Sequence, residues 1–220
     1  MPHTLSNHLT QLFRAKHINC VIDVGANVGQ YAQMLRNSGY RGRIFSIEPV
    51  QSTFDTLQRA RPGDHNWRKM RCALGTEHGQ LQLNVCAAST GSSFLTPTPG
   101  SIPWDNDWEL QVDHVEEVTV FTLDEIFDDC TKGIPEPRVH LKLDTQGWDV
   151  RVVEGGEQSM ERIATMQSEL SFQPTYDGMT DWRKALSLYE SYGFAVTGLF
   201  PIGRDHLLRM HEMDAVLTRI

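Results

Sequence analysis

Residues 21–29 read VIDVGANVG, an apolar strand-like run that passes into a glycine-spaced loop behind a single aspartate. A dinucleotide-binding turn has the spacing G-x-G-x-x-G, because its second glycine lets the backbone approach a pyrophosphate. Counted from Gly25, the second and third glycine positions hold Asn27 and Gln30. Asp23, at the end of the strand, would repel a phosphate and attract a cation. The loop therefore favours S-adenosylmethionine, which carries a sulfonium and an ammonium group and no phosphate.

A second carboxylate closes the next strand-like run. Glu48 stands 25 residues after Asp23, which is about the length of one strand-helix-strand unit. Ligands of open α/β sheets bind at the carboxyl ends of the strands, so Asp23 and Glu48 are expected to meet over one crevice. A carboxylate in that place can accept both hydroxyls of a ribose. Because NAD sites also use an acid there, an NAD-dependent oxidoreductase stays open as an alternative.

Short apolar runs alternate with amphipathic helical patterns, a rhythm typical of a mostly parallel α/β sheet covered by helices. We expect strands over residues 20–24, 43–47, 139–143, 166–172 and 194–199, and helices near 29–39, 51–61, 148–160 and 180–192. Two further β-runs, Leu207–Arg209 and Ala215–Thr218, have no helix between them. They predict an antiparallel hairpin at one edge of the sheet.

The length of 220 residues predicts a single domain, 1–220, that opens with a leading helix within residues 1–18. The rhythm fails over residues 87–118, where prolines and glycines interrupt any regular element and Trp104 and Trp108 stand among polar residues. An irregular segment of this length in a compact domain is more often a functional lid than filler. We therefore predict an insertion that covers the substrate.

The formal charge of −8, from 20 basic and 28 acidic side chains, argues against nucleic acid and anionic lipid as partners. The sequence shows no run of about 18 apolar residues and no signal-like N-terminus, so neither membrane insertion nor secretion is expected. The four cysteines have no CxxC spacing, and three of them lie in apolar runs typical of reduced core thiols. These features predict a cytoplasmic protein.

The strand-like run VHLKLDTQG, residues 139–147, is unusual because a strand covered on both faces should read almost wholly apolar. Alternation places His140, Lys142 and Asp144 on one face. A buried lysine needs a partner, and we expect Glu169 on a neighbouring strand to be that partner. Asp144 stands at the mouth of the strand, where chemistry is expected. His140 lies deeper and is expected to be a hydrogen-bonded core histidine.

The sequence resembles the FkbM family of S-adenosylmethionine-dependent O-methyltransferases. The resemblance rests on pieces in the family's order: VIDVGANVGQY at 21–31, IFSIEP at 44–49, CALG at 72–75, LKLDTQGWDVRVVEGG at 141–156 and ELSFQPTYDG at 169–178. It implies a Rossmann-like class I methyltransferase fold and a small-molecule acceptor, a hydroxyl of a sugar, glycolipid or natural product such as a macrolide. A non-catalytic module that binds the cofactor without turnover is the second alternative.

The resemblance also implies the residues of the cofactor site. The cofactor is cradled by Asp23, Gly25, Asn27 and Gly29, its ribose is held by Glu48, and its adenine lies near Ala73 and Leu74. Longer relatives carry N-terminal substrate elements that are not seen in this sequence. That role is expected to fall to a partner subunit in a homodimer or to residues 87–118.

Asp144 is expected beside the methyl group of the cofactor, and it is the main catalytic candidate, with Lys142 and Glu169 as the others. It takes the hydroxyl proton directly, or it joins Glu169 around a Mg²⁺ ion that lowers the pKa of the hydroxyl. Gln146, where the family commonly shows a carboxylate, supplies only a neutral carbonyl oxygen. That difference favours the metal-free version.

Overall fold

The structure is a computed structural model that describes residues 4–98, 110–204 and 206–220. Its strands are Cys20–Val24 (β1), Arg43–Ile47 (β2), Trp67–Met70 (β3), Ala73–Leu74 (β4), Gly79–Cys86 (β5), Val112–Phe121 (β6), Val139–Leu143 (β7), Ile163–Ser171 (β8), Phe194–Arg204 (β9) and Met210–Arg219 (β10). Its helices are Leu5–Ala15 (α1), Gln30–Asn37 (α2), Gln51–Arg59 (α3), Leu123–Thr131 (α4), Asp149–Glu154 (α5), Glu157–Met160 (α6) and Trp182–Ser191 (α7).

The helices agree with the predicted positions, with two differences. Helix α4 was not predicted. The helix expected over residues 148–160 is divided into α5 and α6, because Gly155 ends the first helix and Gly156 begins the second. A side chain on Gly155 would collide with the backbone of Gly75, since an ideal Cβ would lie 1.9 Å from its carbonyl oxygen. Because Gly155 has no side chain, the end of α5 can lie close to the backbone that follows β4.

The main sheet has the strand order β3-β2-β1-β7-β8-β10-β9. The first five strands pair in parallel, and β10 pairs antiparallel with both β8 and β9. The predicted α/β class, with a mostly parallel sheet and an antiparallel edge, is confirmed. The predicted strand over Leu207–Arg209 is wrong, because these residues lie in the connection between β9 and β10.

A second sheet, with the order β4-β6-β5, was not predicted. Its strands β5 and β6 bury only one face, where Leu83, Val85, Val118 and Val120 pack together. The first half of β6 is mostly exposed, and its valines stand among Asp113, His114, Glu116 and Glu117, so residues 112–118 resemble an irregular insertion in the sequence although they pair with β5. Trp104 and Trp108 lie outside the described residues, and the predicted insertion and lid stay predictions.

Apolar layers cover both faces of the main sheet. All five residues of β1 are buried, and Ile22 faces one cluster while Val21 faces the other. The four cysteines are buried and free. No helix in the described part of the chain is long and apolar enough to cross a membrane. Because both faces are covered, the carboxyl ends of the parallel strands are the place where a ligand can reach the sheet.

Candidate active site

The loop between β1 and α2 turns sharply because three of its residues adopt the left-handed backbone region. Their φ angles are 75° for Gly25, 49° for Asn27 and 87° for Gly29. An ideal Cβ on Gly25 would stand 1.9 Å from the carbonyl oxygen of Asp144, so only glycine lets this loop rest against the end of β7. Gly25 also donates its N–H to the carbonyl of Ile47 at 3.0 Å. The loop is thereby tied to the ends of both neighbouring strands.

Glu48, at the carboxyl end of β2, holds the same loop from the other side. Its Oε2 accepts from the backbone N–H of Asn27 at 2.9 Å, and its Oε1 accepts from that of Val50 at 3.0 Å. Burial raises the pKa of the Glu48 carboxyl to about 7, although the two backbone N–H groups act to lower it. Each carboxylate oxygen has two lone pairs, so each can accept one more hydrogen bond.

A cavity of about 290 Å³ opens at the carboxyl ends of β1, β2, β7 and β8. The predicted site residues that line it are Gly25, Asn27, Glu48, Ala73, Leu74, Asp144 and Glu169. Asp23, Gly29 and Lys142 are not among the lining residues. The described lining residues carry four carboxylates and no lysine or arginine. This charge disfavours a pyrophosphate and suits a cationic ligand.

The predicted ion pair between Lys142 and Glu169 is wrong. Lys142 Nζ lies 2.9 Å from Asp144 Oδ2 and 3.6 Å from Asp23 Oδ1. The reason is the register of the sheet, which places Lys142 beside Asp23 on β1 and beside Gln167 on β8. Glu169 is two residues further along β8. Burial lowers the pKa of Lys142, but Asp144 and Asp23 raise it more, so the net shift is upward.

Asp23 has no exposed surface and lies beneath the loop. Its Oδ2 accepts from Ser46 Oγ at 3.0 Å, and its Oδ1 has no hydrogen-bond partner among the described residues. Burial raises the pKa of this carboxyl, and Lys142 acts to lower it. Asp23 therefore faces Lys142 in the structure, not the cavity in which the sequence placed it.

Asp144 and Glu169 are brought together by an amide. Gln146 Nε2 donates to Asp144 Oδ1 at 3.0 Å and to Glu169 Oε2 at 3.1 Å. The hydroxyl of Tyr176 donates to the carbonyl of Gly91 at 2.9 Å and lies 3.1 Å from Gln146 Oε1. The position between the two carboxyl groups is thus filled by an N–H donor.

The Mg²⁺ alternative finds no support in this arrangement. Within residues 4–98, 110–204 and 206–220, no three or more His, Cys, Asp or Glu side chains are grouped to hold a metal ion. A shared cation between Asp144 and Glu169 would have to displace the amide of Gln146, which donates to both. The residues present do not fit the metal.

His140 is a hydrogen-bonded core residue, as predicted. Its Nδ1 lies 2.8 Å from Thr165 Oγ1, and its Nε2 lies 3.1 Å from the hydroxyl of Tyr31. Burial foremost, and then Lys142, lower the pKa of His140 to about 3, so its imidazole is neutral at physiological pH. This histidine supports the sheet and does not reach the cavity.

Two aromatic residues of the cavity wall were given no role from the sequence. Trp148 lies in the loop after β7 and contacts Phe94, with ring centroids 5.1 Å apart. Both line the cavity together with Ala73 and Leu74. Trp148 lies in the sequence LKLDTQGWDVRVVEGG, whose pattern of apolar residues is the same for a residue of the core and for one of a cavity wall. The position of Trp148 in the cavity wall is therefore visible only in the structure.

Residues 89–98, which belong to the predicted insertion 87–118, lie beside the cavity. Ser93 Oγ donates to the carbonyl of Gln146 at 2.8 Å, and Asn27 Nδ2 donates to Ser89 Oγ at 3.3 Å. Pro97 forms an isolated antiparallel bridge with Tyr176. The segment therefore spans from the loop after β1 to the loop after β8.

The comparisons with known proteins agree with this geometry. The model of the methyltransferase FkbM domain family matches residues 23–196. The chain therefore belongs to the FkbM methyltransferase family. Its family and fold make it an S-adenosylmethionine-dependent methyltransferase, which favours the sulfonium cofactor over NAD. No curated protein matches the sequence significantly.

Solved structures support the fold. An S-adenosylmethionine-dependent methyltransferase from Mesorhizobium loti matches with a TM-score of 0.50 and 9% identity, over 96% of this chain and 98% of that one. Aeropyrum pernix fibrillarin, solved with natively bound S-adenosyl-L-methionine, matches with a TM-score of 0.49 and 9% identity, over 91% of this chain and 66% of that one. The similarity to the Mesorhizobium loti structure supports a Rossmann-like methyltransferase fold.

Proposed function

We propose that the protein transfers the methyl group of S-adenosylmethionine to a hydroxyl of a sugar, glycolipid or natural product. The observation that supports this proposal is that the carboxyl groups of the cavity lie on two sides of β1. Glu48 lies at the end of β2 on one side, and Asp144 and Glu169 lie at the ends of β7 and β8 on the other. One side suits a ribose, and the other offers carboxyl groups for a weakly acidic hydroxyl.

The residues of the first side fit the cofactor. The two free acceptor sites on Glu48 match the two hydroxyls of a ribose, and the apolar wall of Ala73, Leu74 and Trp148 matches an adenine. Gly25 and Asn27 would hold the amino-acid part against the ends of β1 and β7. When bound, the cofactor supplies a methyl group that is activated by a positive sulfur.

The second side is proposed to hold the acceptor. Aligning the acceptor oxygen with the methyl carbon and sulfur is expected to supply most of the rate, because positioning removes an entropic cost. Residues 89–94 line the cavity, which supports the proposal that the segment 87–118, whose last residues are paired in β6, includes a lid. Homodimer formation also remains a prediction.

A labelled methyl group tests the reaction. The purified protein is incubated with S-adenosylmethionine carrying a ¹³C-methyl group and with separate panels of methyl glycosides, macrolides and primary amines. We expect a methyl-ether carbon signal and one equivalent of S-adenosylhomocysteine per methyl transferred. An N-methyl signal would correct the acceptor class. S-adenosylmethionine binding without turnover on every panel would favour the non-catalytic alternative.

Replacement of Glu48 tests the ribose site. Glu48→Gln is expected to weaken S-adenosylhomocysteine binding ten- to a hundredfold, about 1.4–2.8 kcal/mol, because an amide nitrogen cannot accept a hydrogen bond from a ribose hydroxyl. Calorimetric titration measures the change, and Glu117→Gln on the exposed face of β6 is the matched control. An unchanged affinity would remove Glu48 from the site.

The same titrations should depend on pH. Because the raised pKa of Glu48 lies near 7, its carboxyl loses a proton as pH rises from 6 to 8. Ribose hydroxyls donate more strongly to the ionised form, so the affinity of the wild-type protein should rise over this range. The affinity of Glu48→Gln should stay flat.

Trp148 provides an optical test of the adenine wall. Its emission should change when S-adenosylhomocysteine binds, and Trp148→Ala should weaken binding about tenfold through lost ring contact. Trp182→Phe is the control, because Trp182 packs on Phe172 away from this cavity and its loss should leave the emission change in place. An emission change that survives in Trp148→Phe would contradict the assignment.

A further inference from the structure

The two carboxyl groups on the acceptor side have different surroundings. Asp144 Oδ2 accepts from the Lys142 ammonium at 2.9 Å, and Asp144 Oδ1 accepts from Gln146 Nε2 at 3.0 Å. Both oxygens of Asp144 therefore already accept hydrogen bonds from neighbouring side chains. An acceptor hydroxyl would have to compete with these donors at either oxygen.

Glu169 is engaged on one oxygen alone. Its Oε2 accepts from Gln146 Nε2 at 3.1 Å, and no residue of the described chain donates to its Oε1. The Glu169 side chain is only partly buried. Glu169 lines the cavity. Its second oxygen can therefore meet a molecule that enters there.

No cation neutralises Glu169 in the described structure. Lys142 forms its ion pairs with Asp144 and Asp23. Burial foremost raises the pKa of Glu169 well above its ordinary value, and the surrounding carboxyl groups raise it further: Asp144, Glu212, Asp214 and Asp149. A carboxyl group with a raised pKa is a stronger base once it has lost its proton.

We propose that Glu169, and not Asp144, is the general base that takes the proton from the acceptor hydroxyl. This inference rests on the proposed O-methyl transfer. The O–H proton moves to Glu169 Oε1 as the acceptor oxygen forms a bond to the methyl carbon. The carbon–sulfur bond breaks and its electron pair stays on sulfur. The products are a methyl ether, S-adenosylhomocysteine and a protonated Glu169.

Gln146 is assigned as a positioning residue for this base. Its amide donates to both carboxyl groups and so fixes the spacing between Asp144 and Glu169. Its backbone is held in turn by Ser93, whose hydroxyl donates to the Gln146 carbonyl. Ser93 thereby supports the base from the wall of the cavity.

A titration of the carboxyl group tests the assignment without any acceptor. The protein is labelled with glutamate carrying ¹³C at the side-chain carboxyl, saturated with S-adenosylhomocysteine, and followed by NMR from pH 4 to 9. We expect a carboxyl signal that titrates well above the ordinary glutamate range and is lost in Glu169→Gln. Glu190→Gln on the exposed face of α7 is the control and should leave that signal in place.

Single-turnover rates on a methyl glycoside then test the chemistry. The wild-type rate should rise with pH until Glu169 is ionised, and Glu169→Gln should lower it at least a hundredfold and remove that rise. Glu169→Asp should recover part of the rate and keep the rise. S-adenosylhomocysteine affinity is measured for each variant, so a misfolded protein is recognised.

The outcomes separate this inference from the proposed function. Titration of Glu169 in the ordinary range overturns its role as the base, whichever acceptor is used. A rate that is lost in Asp144→Asn but retained with its pH dependence in Glu169→Gln also overturns it. If no hydroxyl compound is methylated, O-methyl transfer fails, and the NMR titration alone decides whether Glu169 holds the proton.

Discussion

Gly25→Ala is expected to weaken S-adenosylhomocysteine binding at least a hundredfold and to lower the free energy of unfolding by about 2–5 kcal/mol. Two effects add. Alanine at the φ of 75° is strained by about 1–2 kcal/mol, and its Cβ would overlap the carbonyl oxygen of Asp144 at 1.9 Å. The loop after β1 must then move away from the end of β7. Calorimetric titration and thermal unfolding measure the two changes.

Gly39→Ala separates the two effects. Gly39 has a φ of 93°, but an added Cβ would meet nothing within 4 Å. This variant should show the backbone strain alone, with a small loss of stability and an unchanged cofactor affinity. Gly25→Ala binding within threefold of the wild-type protein would mean that the contact between this loop and β7 does not shape the site.

The inner parallel strands could be predicted from the sequence because both of their faces are buried, whereas the partly exposed edge strand β3 was not predicted. The bounds of β1, β2 and β7 agree with the predicted runs, since each is short, apolar and bounded by turn residues. The second sheet was missed because it buries one face only. Leu83 and Val85 alternate with polar residues in β5, and the polar start of β6 hides its pairing.

The prediction of the site succeeded for residues that belong to one loop. It failed for contacts that depend on how neighbouring strands are aligned. Gly25, Asn27 and Glu48 lie in or beside the loop after β1, and their places follow from local sequence. The partner of Lys142 depends on which strand lies next to β7 and in what register. The sheet order puts Asp23 there, and no spacing along the chain contains that information.

Lys142→Met is expected to lower the free energy of unfolding at pH 7 by about 3–5 kcal/mol, and Tm by roughly 6–20 °C, because it leaves a buried charge without its partner. Asp23 has no exposed surface, so water cannot replace the ammonium there. Asp144 is 39% exposed and can be rehydrated, so most of the loss is assigned to Asp23.

The pH dependence of that loss identifies the group responsible. Without Lys142, the folded-state pKa of Asp23 rises further, so the folded protein keeps a proton that the unfolded chain releases above pH about 4. Folding is then favoured by low pH, and the deficit against the wild-type protein should shrink as pH falls from 7 to 5. Chemical denaturation at both pH values measures it.

Two further variants decide whether the charge is the cause. Lys142→Met combined with Asp23→Asn removes both charges, and it should recover more than half of the loss. Lys69→Met, in β3 of the same sheet, removes a lysine that donates to backbone carbonyls and forms no ion pair in the described structure, so it should cost less than about 1 kcal/mol. If the double variant is as unstable as Lys142→Met, the loss comes from packing, and Asp23 is not held ionised by Lys142. Recovery would instead show that Lys142 neutralises the Asp23 carboxylate beneath the loop after β1.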